Sequence, residues 1–120
     1  DFLSLHLPVN QETRGFLGRE QFRKMKPSAI LVNTARGELV DQEALLEALR
    51  GGRIRGAGLD AHSQEPPDPA LFESLDNVVL TPHMGSYTEE ALAKMGMDSV
   101  QSLIAFFEGR RPPNVVVGRS

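Results

Sequence analysis

The sequence predicts an α/β fold built on a mostly parallel sheet with flanking helices. Two observations carry this. Apolar runs and amphipathic runs alternate in the order β-α-β-α-β-loop-β-α, the pattern of a layered domain around a parallel sheet. Two of the apolar runs are continuous through their middles, over 30–32 and 78–80, rather than alternating with polar residues. Continuous runs predict strands buried on both faces.

The strands are expected at 2–7, 29–34, 55–61 and 77–81. A short helix over 18–25 is closed by Pro27. A stronger one over 41–52 has Asp41 as N-cap, Leu45, Leu46 and Leu49 on one face, and Gly51 as its stop. The last helix covers 86–109. Ser86 and Glu89 fit a capping box there, and Leu92, Met95, Val100, Leu103, Ile104 and Phe107 approximate an apolar stripe that Gly96 weakens. Residues 110–120 leave this helix through Pro112 and Pro113 as a tail, arm or edge strand. The loop 61–74 carries three prolines and three acids, and loops of that length tend to be functional or mobile.

Composition narrows the field. The 120 residues suit one domain over 1–120, with 40% apolar and 24% charged residues. A net charge of −3 provides no basic field for nucleic acid or an anionic membrane, so neither is expected as a partner. No run approaches the ~20 apolar residues of a membrane span. The absence of cysteine excludes disulfides, thiolate catalysis and zinc–thiolate sites, and fits a cytoplasmic protein. No metal site is expected. Asp1 leads straight into a strand, so a fragment of something larger is expected.

In parallel sheets the chemistry gathers beyond the C-terminal ends of the strands. Those ends hold His6, Leu7 and Pro8 after the first strand, and Thr34, Ala35, Arg36 and Gly37 after the second. Asp60 and then Glu65 follow the third, and His83, Met84, Gly85 and Ser86 the fourth. An arginine can grip a carboxylate with two parallel bonds. A histidine can give or take a proton near neutral pH, and a carboxylate behind it can orient the ring. Arg36, Glu65 and His83 therefore suit reduction of a keto acid. Gly37 is expected to give the backbone room to turn. The G-x-G-x-x-A match at 56–61 is rejected as a dinucleotide fingerprint, because "HSQEPPDP" cannot open a helix after it; its glycines are expected to permit close packing inside the strand. No serine sits in a nucleophile-elbow context, which argues against a hydrolase.

The stretches "LHLPVNQETRGFLG", "MKPSAILVNTARGELVDQEALLEALRGGRIRGAGLD", "QEP" and "NVVLTPHMGS" occur in an order and spacing that closely resemble the C-terminal part of the D-isomer-specific 2-hydroxyacid dehydrogenases. That family includes D-3-phosphoglycerate dehydrogenase and the glyoxylate/hydroxypyruvate reductases. The resemblance implies half of a Rossmann-type nucleotide-binding domain and NAD or NADP as cofactor. It implies a small 2-keto or 2-hydroxy acid substrate. Arg36 would hold the substrate carboxylate, His83 would be the acid/base, and Glu65 its orienting partner. Asp60 would face the nicotinamide carboxamide. Thr34, Ala35 and Arg36, with His83, Met84, Gly85 and Ser86, would wall the nicotinamide side, and His6, Leu7 and Pro8 would lie under the adenosine. The family's substrate domain and glycine-rich loop would lie upstream, so the isolated chain is expected to be inactive. One departure is local: the apolar–aromatic pair that usually follows "GLD" is here Ala61 and His62. The alternative expectation is a free-standing, flavodoxin-like module that self-associates, as a homodimer, with vestigial catalytic residues.

Overall fold

The computed structural model describes residues 1–116. Two compact units separate, Asp1–Gly85 and the segment from Ser86 onward.

The first unit is a four-stranded, wholly parallel sheet of β1 (Phe2–Leu5), β2 (Ile30–Asn33), β3 (Gly56–Leu59) and β4 (Val78–Leu80), in that order across the sheet. Helix α1 (Arg19–Lys24) connects β1 to β2, and α2 (Gln42–Arg50) connects β2 to β3. The link from β3 to β4 has only a 3-10 turn, Pro69–Leu71. The order runs 1-2-3-4 without reversal, so the switch point of a flavodoxin-like sheet is absent and the unit resembles one wing of a doubly wound domain.

Each element has a local cause. Asp41 caps α2 by accepting from the Ala44 amide at 3.0 Å, and Leu45, Leu46 and Leu49 are buried as their spacing predicts. The stop differs in detail: Gly51 is the C-cap, but the left-handed residue is Gly52, at φ +61°. The Gln21 side chain accepts from the Gly18 amide at 3.1 Å at the start of α1. A parallel bridge between Leu17 and Val40, not foreseen from the sequence, ties the lead-in of α1 to that of α2. Arg19 then spans the two helices with paired bonds of 2.8 and 2.6 Å to Glu47.

The core sits on one face of the sheet. Register places Leu3, Leu31, Ala57 and Val78 in one row and Leu5, Asn33, Leu59 and Leu80 in another, both facing the helices. Phe22, Leu39, Leu45, Leu49 and Ile54 close over them. On the other face no helix of this unit packs: Phe2 is 78% and Val79 67% exposed, and Ile30 and Val32 are half-buried. Burial on both faces was expected from the continuous runs, and this is the correction. Both α1 and α2 join a single core, so no helix of this unit covers the second face. The strand glycines divide. A Cβ on Gly56 would meet the Asn77 carbonyl oxygen at 2.7 Å, as close packing predicts, whereas Gly58 has open space.

The second unit is α3 (Glu89–Phe107) and its tail. The expected capping box of Ser86 and Glu89 is not formed. Thr88 is the N-cap and accepts from the Ala91 amide at 3.1 Å, so the helix starts later than its sequence pattern suggested. Gly96 lies inside α3 without interrupting it, and Gly109 ends it at φ +72°. The stripe residues Leu92, Met95, Val100, Leu103, Ile104 and Phe107 are exposed. The tail forms no strand through Val116; the remainder of the expected arm, 117–120, lies outside the described residues. Among the described residues no helix is long and apolar enough to cross a membrane.

Leu31 has no exposure at the centre of the sheet, so Leu31→Ala leaves a cavity that the fixed strands on either side cannot close. It is expected to cost about 2–5 kcal/mol, read as a lower urea midpoint at unchanged slope.

Candidate functional site

The turn after β2 is organised by a buried amide. Asn33, 1% exposed, accepts from the Ala35 amide at 3.1 Å and donates from Nδ2 to the Arg36 carbonyl at 2.9 Å. Its own carbonyl receives the amides of Asp60 and Ala61, at 2.9 and 3.4 Å. One residue thus shapes the Arg36 turn and binds it to the end of β3. Thr34 and Arg36 are exposed on this turn. Arg36 folds back to donate to the Ala35 carbonyl at 2.6 Å and forms no ion pair among the described residues. It lines an open hollow of about 600 Å³ with His6, Leu7, Pro8, Val9 and Ala35. His6 is itself joined to Ser4 by a 2.8 Å hydrogen bond.

Gly37 follows Arg36 for a reason other than conformational freedom. A Cβ there would lie 2.0 Å from the His62 carbonyl carbon and 2.1 Å from the Ser63 nitrogen. Backbone atoms cannot yield as a side-chain tip does, so only glycine fits. The expected need for room to turn is replaced by a need for close approach.

Asp60 ends β3 as a buried carboxylate. Its Oδ1 accepts from the Thr81 hydroxyl at 2.5 Å and the Met84 amide at 2.9 Å, and Oδ2 accepts from the Gly85 amide at 2.9 Å. The Thr81 hydroxyl first, then the two amides, hold its carboxyl below the usual carboxylate range. This staple spans His83, whose φ of +53° is the left-handed region. The three bonds leave little of the carboxylate unengaged.

Glu65 and His83 meet directly, Nδ1 of the ring donating to Oε1 at 2.7 Å. The ring is thereby oriented and its Nε2 left for proton exchange. The same Oε1 accepts from the His62 amide at 3.3 Å. These two donors, His62 first, hold the Glu65 carboxyl below its ordinary value. A separate hollow is walled by His62, Glu65, Pro66, Pro67, Pro82 and His83. The His83 and Glu65 side chains are 45% and 43% exposed, so water reaches the pair.

The sequence-predicted residues therefore fall into three groups. Glu65 and His83 are in contact. Asp60 holds Met84 and Gly85. Arg36 shares its hollow with His6, Leu7, Pro8 and Ala35, and no hydrogen bond joins it to the Glu65–His83 pair among the described residues. Ser86 belongs to the second unit. Asn33 and Thr81 are strand-end residues to which the sequence assigns no role, and His62, in the proline-rich loop, is set aside there as non-catalytic. A polar residue closing the apolar run 30–32 was the available signal for Asn33, and the departure after "GLD" was the signal for His62.

A dinucleotide fits this edge only in part. The open hollow at the strand ends, with mixed polar and apolar walls, suits one portion of such a ligand. Helix N-terminal amides are a favourable seat for a pyrophosphate, and at α2 the Asp41 carboxylate already accepts from the Ala44 amide and places a negative charge there.

The family model described as the D-isomer specific 2-hydroxyacid dehydrogenase, NAD binding domain, matches residues 1–85, the span of the first compact unit. A glyoxylate reductase of Korarchaeum cryptofilum is 52% identical over 118 residues, covering 97% of this chain and 35% of its own length. The TT0316 protein of Thermus thermophilus superposes with a TM-score of 0.92 at 50% identity, over 98% of this chain and 38% of that one. The NAD complexed form of a D-isomer specific 2-hydroxyacid dehydrogenase from Lactobacillus delbrueckii ssp. bulgaricus has a TM-score of 0.87 at 37% identity, over 98% of this chain and 40% of that one. The chain thus spans well under half the length of the relatives it matches.

Gly37→Ala is expected to destabilise the chain by at least the ~1–3 kcal/mol of an overpacked core site, seen in thermal or urea unfolding. Asp60 and Glu65 both have lowered carboxyl pKa values, so the folded state holds fewer of their protons than the unfolded state does. Their stabilisation is complete above the ordinary carboxylate range and is lost as pH falls through the lowered values. Asp60→Asn is expected to flatten this acid limb, measured as urea midpoints between about pH 7 and about pH 3.

Proposed function

The chain belongs to the D-isomer specific 2-hydroxyacid dehydrogenase family through its NAD binding domain, and from that premise we propose that it supplies the acid/base pair and the carboxylate-binding arginine of an NAD(P)-dependent oxidoreductase interconverting a 2-keto acid and a D-2-hydroxy acid. The observation that carries this reading is the His83–Glu65 bond at 2.7 Å, which leaves Nε2 of His83 as the proton-exchanging atom.

When bound, the nicotinamide supplies or accepts the hydride. This chain's residues do the rest. In reduction His83 gives the proton from Nε2 to the carbonyl oxygen of the keto acid, and in oxidation it takes the hydroxyl proton back. Glu65 stabilises the charged ring between these events. Arg36 holds the substrate carboxylate with its guanidinium and polarises the adjacent carbonyl. Thr34, Ala35 and Arg36, with Asp60, His83, Met84, Gly85 and Ser86, are assigned to the nicotinamide side. His6, Leu7 and Pro8 are assigned to the adenosine side. Glyoxylate is the first substrate to assay, given the reductases among the relatives.

The isolated 120-residue chain is proposed to turn over little or not at all. Its acid/base pair is open to water, which weakens the electrostatic part of catalysis. The proposed location is the cytoplasm. A second reading, self-association as a homodimer, is favoured by the exposed apolar side chains of Phe2 and Val79 on one face of the sheet. Light scattering that reports a monomer at high concentration would sink it.

The main test is steady-state kinetics of the full-length enzyme containing this chain, with glyoxylate or hydroxypyruvate and NADH or NADPH. His83→Asn is expected to lower kcat by roughly 10²–10⁴-fold, the usual contribution of a general acid. Arg36→Gln is expected to raise the KM of the keto acid, through the lost carboxylate grip, and to lower kcat, through the lost polarisation. An unchanged kcat in His83→Asn would remove the acid/base assignment.

A further inference from the structure

We infer that His62 is a positioning residue that locks the Arg36 turn to the Glu65–His83 pair. The inference rests on the reading of His83 as the acid/base. His62 touches all three parts of the site. Its backbone abuts Gly37, the residue after Arg36, so closely that no Cβ can intervene. Its amide donates to Oε1 of Glu65 at 3.3 Å, the oxygen that also receives Nδ1 of His83 at 2.7 Å. Its ring Nε2 donates to the Thr81 carbonyl at 2.9 Å, and the His83 amide donates to that same carbonyl at 3.0 Å.

Two oxygens, Glu65 Oε1 and the Thr81 carbonyl, therefore each receive one bond from His62 and one from His83. A carbonyl oxygen only accepts, so Nε2 of His62 carries a hydrogen and the neutral ring is the Nε2–H tautomer. That bond fixes the direction of the Thr81 carbonyl, from which the left-handed turn at His83 departs. Movement of the Thr81 carbonyl would rotate the His83 backbone and draw its ring from Glu65. The half-buried ring also walls the hollow of the pair. A phenylalanine would fill the same space but could not donate to Thr81.

The test separates ring shape from ring donor. In the 120-residue chain, ring nitrogen-15 NMR is expected to find neutral His62 as the Nε2–H tautomer. His62→Phe is expected to shift the His83 ring resonances, and His62→Gln, which keeps a donor, to bring them back. In the full-length enzyme, His62→Phe is expected to lower kcat about tenfold, the order that loss of one orienting hydrogen bond can carry. Substrate KM and the melting temperature should move little, and His62→Gln should recover most of the loss. The inference is overturned if neutral His62 is the Nδ1–H tautomer, or if His62→Phe leaves both His83 resonances and kcat unchanged. It is also overturned if kcat and melting temperature fall together and glutamine rescues neither. Should His83→Asn prove fully active, the acid/base reading fails while the NMR coupling between His62 and His83 is still read independently.

Discussion

A single buried carboxylate holds the candidate site in shape. Asp60 ends a central strand and accepts three hydrogen bonds, from the Thr81 hydroxyl and the amides of Met84 and Gly85. A carboxylate in the chain interior is tolerable only when its oxygens are satisfied. The loop after β4 supplies that satisfaction, and in exchange its path is dictated. His83 lies inside the stapled segment with a backbone conformation that non-glycine residues disfavour by roughly 1–2 kcal/mol. The staple offsets that cost and places the ring where Glu65 can reach it. Removing the carboxylate would free the segment that presents His83, although Asp60 does not touch His83's ring.

A second tier of shared acceptors works in the same way. Asn33 uses both ends of its amide on the Arg36 turn and its carbonyl on the end of β3. Glu65 Oε1 and the Thr81 carbonyl each collect two donors. Among the described residues no buried side-chain polar atom lacks a partner. Catalytic groups on loops gain precision this way, because the loop backbone is tied to strands that the core has already fixed. The helices of the first unit pack on one face of the sheet that bears them, and the pair it presents is open to water. A histidine oriented by a carboxylate is thus present in the first unit, whereas dry surroundings that would strengthen its electrostatics are not supplied by it.

Much of this is legible in the residues. The strand–helix alternation, Asp41 as a cap, and the burial of Leu45, Leu46 and Leu49 follow from patterns within a few residues of one another, and the structure contains all of them. The pairing of Glu65 with His83 is legible through the resemblance of "QEP" and "NVVLTPHMGS" to the family's motifs, and the two side chains meet at 2.7 Å. The features that sequence patterns misplace depend on competing or distant partners. Ser86 and Glu89 have the right letters for a capping box, yet Thr88 competes for the same role and wins, accepting from Ala91. Gly37 resembles a turn glycine because its neighbours in sequence suggest a turn. Its actual constraint comes from His62 and Ser63, which no local pattern reveals. His62 itself resembles an exposed loop residue, because nothing near it in sequence offers the acceptor that its ring finds at Thr81.

The sequence by itself determined the order of elements, the apolar faces of the helices that build the core, and the residue types able to carry keto-acid chemistry. These are set by side-chain chemistry and periods of a few residues. Tertiary structure alone decided which face of the sheet is covered, that Asp60 closes on Thr81, Met84 and Gly85, and that Arg36 opens on a different hollow from the Glu65–His83 pair. The physical reason is that hydrogen bonds and close approaches between segments depend on how strands line up side by side. That alignment emerges only when the whole core packs.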